Sequence, residues 1–317
     1  MKKAIVTTIM AALSALPLFS LDLELNVSGN ALKVLTSKEA PEGFGRGLPM
    51  GPASLRFVNN SLWAVDSIAG RFVEFNAQGQ QQKFITVENA DQLVISDFAF
   101  ENDTDGRPVA IWAVGTEQPY VLKTDMTGKV LASFSTDLSF PAQLELLPGG
   151  NLAISDQSLK NISIYNTAGQ QVWRHEIVGK SFVAETNGDL LFLTVKGENV
   201  AVMKRLNATG ELVEYCELPM GEDSNPALLF SRDGEIFFGF HSEEEESEEY
   251  VFNINRFSLA SKTMATLTTA FPAPFINRLL LENNGNLLLV SFVDENGRYL
   301  LRLSEFVDDM ISEDSEG

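Results

Sequence analysis

Six times along this chain a Gly, once replaced by Asn, is followed at once by a short apolar segment. The anchors are Asn60, Gly106, Gly150, Gly188, Gly234 and Gly285, as in Gly150-Asn-Leu-Ala-Ile-Ser-Asp156 and Gly285-Asn-Leu-Leu-Leu-Val-Ser291. They lie 46, 44, 38, 46 and 51 residues apart. A period of about 40–45 residues with four short strands per unit is that of a propeller blade. The expected fold is therefore all-β: a six-bladed β-propeller with four antiparallel strands per blade.

A second turn recurs inside the units, at Asn76-Ala-Gln-Gly79, Asp125-Met-Thr-Gly128, Asn166-Thr-Ala-Gly169 and Asn207-Ala-Thr-Gly210. An Asx residue opens each turn and Gly supplies the positive φ, which is hairpin chemistry. In the fifth unit Ser258-Leu-Ala-Ser261 takes the place and the glycine is lost. The strands after the anchors, such as Leu190-Leu-Phe-Leu193, are apolar throughout, as strands covered on both faces should be. The sixth unit lacks a fourth strand. Residues 31–36 form a strand without a blade, so the expectation is that an N-terminal strand closes the ring in the last blade. Residues 31–36 would pair with residues 298–306 and remove an exposed edge.

Lys2 and Lys3 precede an uncharged run from Ala4 to Phe19, and Pro17 and Ser20 follow the pattern of a cleavage site. Residues 1–20 are expected to be a signal peptide, residues 21–306 the propeller, and residues 307–317 an acidic disordered tail. A secreted or periplasmic location follows, without membrane insertion after cleavage. The net charge of −20 repels phosphate backbones and anionic lipid, so a nucleic-acid partner is not expected. One cysteine, Cys216, excludes an intramolecular disulfide, and two histidines exclude a His-rich zinc site.

The segments from Trp63 to Gly79 and from Ala153 to Gly169 resemble NHL-type repeats of six-bladed propellers. In each, an Asp (Asp66, Asp156) precedes the Gly by 13 positions. The glycine-rich lead-in from Gly43 to Pro49 is similar to the approach to a first NHL-type blade. The likeness is sharp in blades one and three. The other blades keep the strand pattern without the Asp.

Candidate site residues come from the expected channel mouth. Asp66 and Asp156 end second strands; each would be a ligand carboxylate or a cap on its own loop. Gln143, Asn225 and Asn277 stand in proline-bearing segments that lead into inner strands, and their amides would either bind a ligand or satisfy loop backbone. His241 precedes an acidic insert at residues 243–249, and neighbouring glutamates would raise its pKa. That insert would be a solvated loop, a docking patch for a cationic partner, or a loose Ca²⁺ site. No catalytic residue is assigned, because two histidines assemble no Ser/His/Asp or Cys/His constellation.

The leading reading is an exported, non-catalytic propeller that acts as a protein- or peptide-binding scaffold and needs no cofactor. The alternative is a hydrolase that resembles calcium-dependent lactonases. Under that reading Asp97, Glu185, Asn225 and Asn277 would hold one Ca²⁺ at the channel mouth as Lewis acid.

Overall fold

The hairpin glycines Gly79, Gly128, Gly169 and Gly210 adopt the expected positive φ, between 73° and 92°, and the anchor turns do so as well. In the computed structural model, Asn59 and Asn60 have φ of 49° and 64°, and Gly106, Gly150, Gly188, Gly234 and Gly285 lie between 77° and 89°. Asn60 can replace Gly because its short polar side chain tolerates the left-handed region. Asn59–Asn60, Asp233–Gly234 and Asn284–Gly285 carry positive φ at both turn residues. That twist matches the twist of the strands they join. The structure describes residues 20–26, 32–34, 51–88, 94–115, 120–177, 181–196, 200–207, 210–219, 226–243, 250–269, 276–295 and 298–306.

Two strands come first in the chain, β1 (Ser20–Asn26) and β2 (Leu32–Lys33). Blade one is β3 (Ser54–Val58), β4 (Ser61–Asp66), β5 (Arg71–Phe75) and β6 (Gln81–Thr86). Blade two is β7 (Ile95–Asn102), β8 (Pro108–Gly115), β9 (Tyr120–Asp125) and β10 (Val130–Ser135). Blade three is β11 (Pro141–Leu146), β12 (Leu152–Asp156), β13 (Asn161–Tyr165) and β14 (Gln171–Glu176). Blade four is β15 (Phe182–Ala184), β16 (Leu190–Val195), β17 (Val200–Leu206) and β18 (Leu212–Pro219). Blade five is β19 (Ala227–Arg232), β20 (Glu235–Glu243), β21 (Tyr250–Ser258) and β22 (Met264–Thr269). Blade six holds β23 (Leu280–Asn283), β24 (Asn286–Glu295) and β25 (Arg298–Glu305), completed by β1 and β2.

An N-terminal strand does close the ring, but it is not the expected one. β1 pairs antiparallel with β25, from Ser20 opposite Ser304 to Leu25 opposite Tyr299. Of the expected closing segment, residues 31–36, the structure describes residues 32–34, in which Leu32 and Lys33 form strand and lie parallel on the outer side of β1. The reason is the alternation in Leu21-Asp-Leu-Glu-Leu25. Leu21, Leu23 and Leu25 are buried in the core. Asp22 faces outward and takes two hydrogen bonds from Arg302, at 2.8 and 2.9 Å, while Glu24 lies 3.6 Å from Arg298. A strand with one apolar and one acidic face fits a neighbour that offers leucines on one side and arginines on the other. β1 begins at the residue after which cleavage was expected.

The core is built between blades rather than within them. Successive clusters join blades one and two around Phe72 and Phe98, two and three around Trp112 and Leu144, three and four around Ile162 and Phe192, and four and five around Met203 and Phe238. The largest cluster joins blades five, six and one and contains the β1 leucines. Trp63 and Trp112 are buried, as their positions in second strands imply. The fifth-blade hairpin replaces its lost glycine with a one-residue-longer loop, in which Lys262 takes the positive φ of 60°. The acidic tail and residues 244–249 of the insert lie outside the described residues.

Candidate functional site

The six inner strands, β3, β7, β11, β15, β19 and β23, surround a central channel that contains a cavity of about 340 Å³. Its wall is of mixed polarity, with Phe57, Phe100, Leu146, Val183, Phe230 and Leu281 among the lining residues. Arg56, Glu145 and Arg278 also line it. The arginines come from blade one and from just before β23 of blade six; the glutamate comes from blade three.

Asp97 on β7 is the hub of this charged cluster. It has no exposed surface, and its Oδ2 accepts from Leu144 N at 2.7 Å, Arg278 Nη2 at 3.0 Å and Arg56 Nη2 at 3.3 Å. Its Oδ1 accepts from Phe98 N at 2.8 Å. Glu145 accepts from Arg56 Nη1 at 3.0 and 3.2 Å and lies 2.6 Å from Arg278 Nη2. Both guanidiniums also donate to the Leu144 carbonyl. Blades three and six face each other across a six-bladed ring, so the Arg278–Glu145 pair crosses the axis. The cluster stoppers the channel and leaves the cavity on the side of the β3–β4 and β7–β8 turns.

Burial alone would raise the Asp97 carboxyl, but the guanidiniums of Arg278 and Arg56 outweigh it, and the group sits below the ordinary carboxylate range. Such a carboxylate is a weak base. Two guanidiniums and two carboxylates sum to zero formal charge, so the cluster is internally compensated in a setting where an unpaired charge would be costly.

The residues named from the sequence fall in several places. The Gln143 amide was expected at a mouth. It is buried, its Nε2 donates to Phe182 O at 2.8 Å and its Oε1 accepts from Phe182 N at 3.0 Å, so it clamps blade three to blade four. Asn277 donates from Nδ2 to Ser96 O, and its backbone N–H goes to Ala53 O. It therefore ties blade six to blades one and two. His241 lies on β20 opposite Phe252. Asn225 lies outside the described residues. Glu185 opens the β15–β16 turn, at the other end of the inner strands from Asp97, and burial raises its carboxyl. The structure thus does not bring Asp97, Glu185 and Asn277 together, and Asp97 has its oxygens engaged. Among the described residues no group of three or more His, Cys, Asp or Glu is placed to hold a metal ion.

The recurrent aspartates cap loops. Asp156 accepts from the backbone N–H groups of Phe140 and Leu159 at 3.0 and 2.8 Å, and Asp66 accepts from Ala69 N at 3.2 Å and Arg71 Nε at 3.0 Å. His175 stacks on Trp173 and meets Phe192 across the blade three–four seam, and burial lowers its pKa. Burial raises the Cys216 thiol. Sequence reasoning missed Arg56, Glu145 and Arg278. The available signal was a charge inside a short inner strand, as in Ser54-Leu-Arg-Phe-Val58.

No family model matches the chain, and no curated protein matches it in sequence. Solved structures do. A streptogramin B lyase is 13% identical, with a TM-score of 0.50, over 79% of this chain and 78% of that one. A candidate exported protein from Bacteroides fragilis NCTC 9343 is 12% identical, with a TM-score of 0.52, over 87% and 95%. A protein of unknown function from Desulfotomaculum acetoxidans DSM 771 is 10% identical, with a TM-score of 0.52, over 83% and 86%. At these identities the likeness is one of fold, and what the chain shares with all three is the propeller ring.

Proposed function

We propose that this chain is an exported, non-catalytic propeller of the NHL type that recognises a protein or peptide through its ring. The observation that carries the reading is the chemistry of the channel. Aromatic and aliphatic side chains line it beside polar ones, and the carboxylates of Asp97 and Glu145 in its charged cluster are already bound by guanidiniums. A hydrolytic site needs a base with free lone pairs or a metal with open positions. Asp97 gives its lone pairs to backbone and arginine. A rigid ring with a recess of mixed polarity suits recognition, because little order has to be gained on binding. The basic leader, the capped Asp positions of blades one and three and the acidic surface support export, the NHL likeness and a cationic partner in turn.

The test is selection of random peptides displayed on phage against the purified chain, followed by calorimetric titration of the selected sequences. Reproducible peptides with micromolar dissociation constants support the proposal. A chain that selects no peptide, yet hydrolyses a lactone in a Ca²⁺-dependent manner, refutes it.

A further inference from the structure

The charged cluster in the channel has more donors than acceptors. Each guanidinium carries five N–H donors. Among the described residues the bonds of Arg278 all run from Nη2, and those of Arg56 run from Nη1 and Nη2. The Nε atoms of both arginines are buried and have no hydrogen-bond partner. On the acceptor side, Asp97 Oδ2 already takes three bonds and Oδ1 one. Buried donors without partners are rare in native proteins, and an enclosed ordered water is one way of satisfying them. The two Nε atoms are enclosed by protein, out of reach of a ligand. The arginine side chains are 16% exposed and both residues line the 340 Å³ cavity, so the donor left for a ligand is Arg278 Nη1, which makes no bond among the described residues.

Charge decides what kind of acceptor fits. Arg56 and Arg278 are balanced by Asp97 and Glu145, and Glu282 also lines the cavity. An anion would add an uncompensated negative charge beside two carboxylates in a chain of net charge −20. A neutral carbonyl adds none and still accepts the spare N–H groups. The wall sets the rest of the ligand. Phe57, Phe100 and Phe230 are among the lining residues, so part of the wall favours an aromatic or large aliphatic body. The volume equals roughly eleven waters at about 30 Å³ each and lies at the small end for ligand pockets.

We infer that the channel cavity binds a compact, neutral, amide-bearing apolar group: one apolar side chain of a partner together with its backbone carbonyl. The inference rests on the proposed peptide recognition and narrows it to an internal segment of the partner, rather than a free C-terminus or an acidic side chain.

Two small probes separate the possibilities: N-acetyl-phenylalaninamide, and N-acetyl-phenylalanine, which is an anion at pH 7. Saturation-transfer NMR on the purified chain reads both. The amide should bind with a dissociation constant on the order of 1 mM, as expected for a fragment of its size. The acid should bind about fivefold more weakly or not at all. Ala184 lines the cavity with a small side chain. Ala184→Phe should fill the recess and abolish the amide signal, and Ala184→Leu, a smaller intrusion, should weaken it severalfold with an unchanged melt. Acid binding equal to or tighter than amide binding overturns the inference. So does amide binding that survives Ala184→Leu and Ala184→Phe in folded protein. Display-selected peptides that bind the parent and the Ala184→Phe chain equally would remove the channel from the reading while peptide recognition stands. Amide binding that responds to Ala184, in a chain that selects no peptide, would sustain the site and sink the peptide function.

Discussion

Replacing Asp97 by Asn should destabilise this protein more than any single surface change. The substitution keeps the shape and leaves two guanidiniums facing the single carboxylate of Glu145. Breaking one partner of a buried ion cluster costs about 3–5 kcal/mol, because the remaining charge stays out of water. Unfolding entropy is near 2.1 cal/mol/K per residue, so a folded span of about 290 residues has roughly 0.6 kcal/mol/K at its midpoint. The melting temperature should therefore fall by about 5–8 °C. Calorimetry of Asp97→Asn against the parent at pH 7 measures this directly. Asp97 has a folded-state pKa below its unfolded value. Its stabilisation is fully present above the unfolded value, near 3.9, and is lost as pH falls through the folded value. The gap between parent and variant should therefore hold from pH 7 to about 5 and close below about pH 4. Arg278→Gln adds a second check. It should cost much less in the Asp97→Asn background than in the parent, because there it removes an uncompensated charge. A melting drop under about 2 °C, or an equal cost for Arg278→Gln in both backgrounds, would show that the cluster does not hold the blades as argued.

Other expectations follow from the ring closure, the turns and the acidic insert. Deletion of residues 20–26 should cause aggregation or a large loss of melting temperature, and Leu23→Ala alone should cost about 2–4 kcal/mol by denaturant titration, since Leu23 is buried in the closing seam. Gly128→Ala should cost far more than Gly106→Ala. A Cβ at Gly128 would meet Thr86 O at 2.0 Å, whereas at Gly106 it meets nothing within 4 Å and only the positive φ opposes it, worth about 1–2 kcal/mol. Deleting residues 244–249 should leave the melting temperature equal or slightly higher at low salt, with the gain shrinking as salt screens the carboxylates. Addition of Ca²⁺ should shift neither form, and a calcium shift confined to the intact chain would assign that insert an ion site.

The architecture was legible because its signals are local. A Gly or Asn at positive φ followed by a buried strand is written in consecutive residues, and six such turns define six blades. The Asx hairpins are equally local, down to Asn76 Oδ1 accepting from Gln78 N and Gln80 N. The closing strand was assigned to the wrong segment because residues 31–36 look strand-like in isolation. Its correct identity depends on Arg298 and Arg302, some 280 positions away, which match the acidic face of Leu21-Asp-Leu-Glu-Leu25. The central cluster was hidden for the same reason. Arg56, Asp97, Glu145 and Arg278 stand on four blades, and nothing near any one of them in sequence announces the other three. Gln143 was noticed as a polar group beside a proline, but only the packing of blade four shows that its amide has a backbone partner on each side.

The point where β1 begins and β25 ends carries a mechanical consequence. Ser20 sits opposite Ser304 in the antiparallel pair that finishes the ring. A force applied between these two residues would open that pair rung by rung, like a zipper, instead of loading all its hydrogen bonds together in shear. Tethering the ring to a surface through both residues would favour opening of the seam, whereas a single tether would leave the seam unloaded.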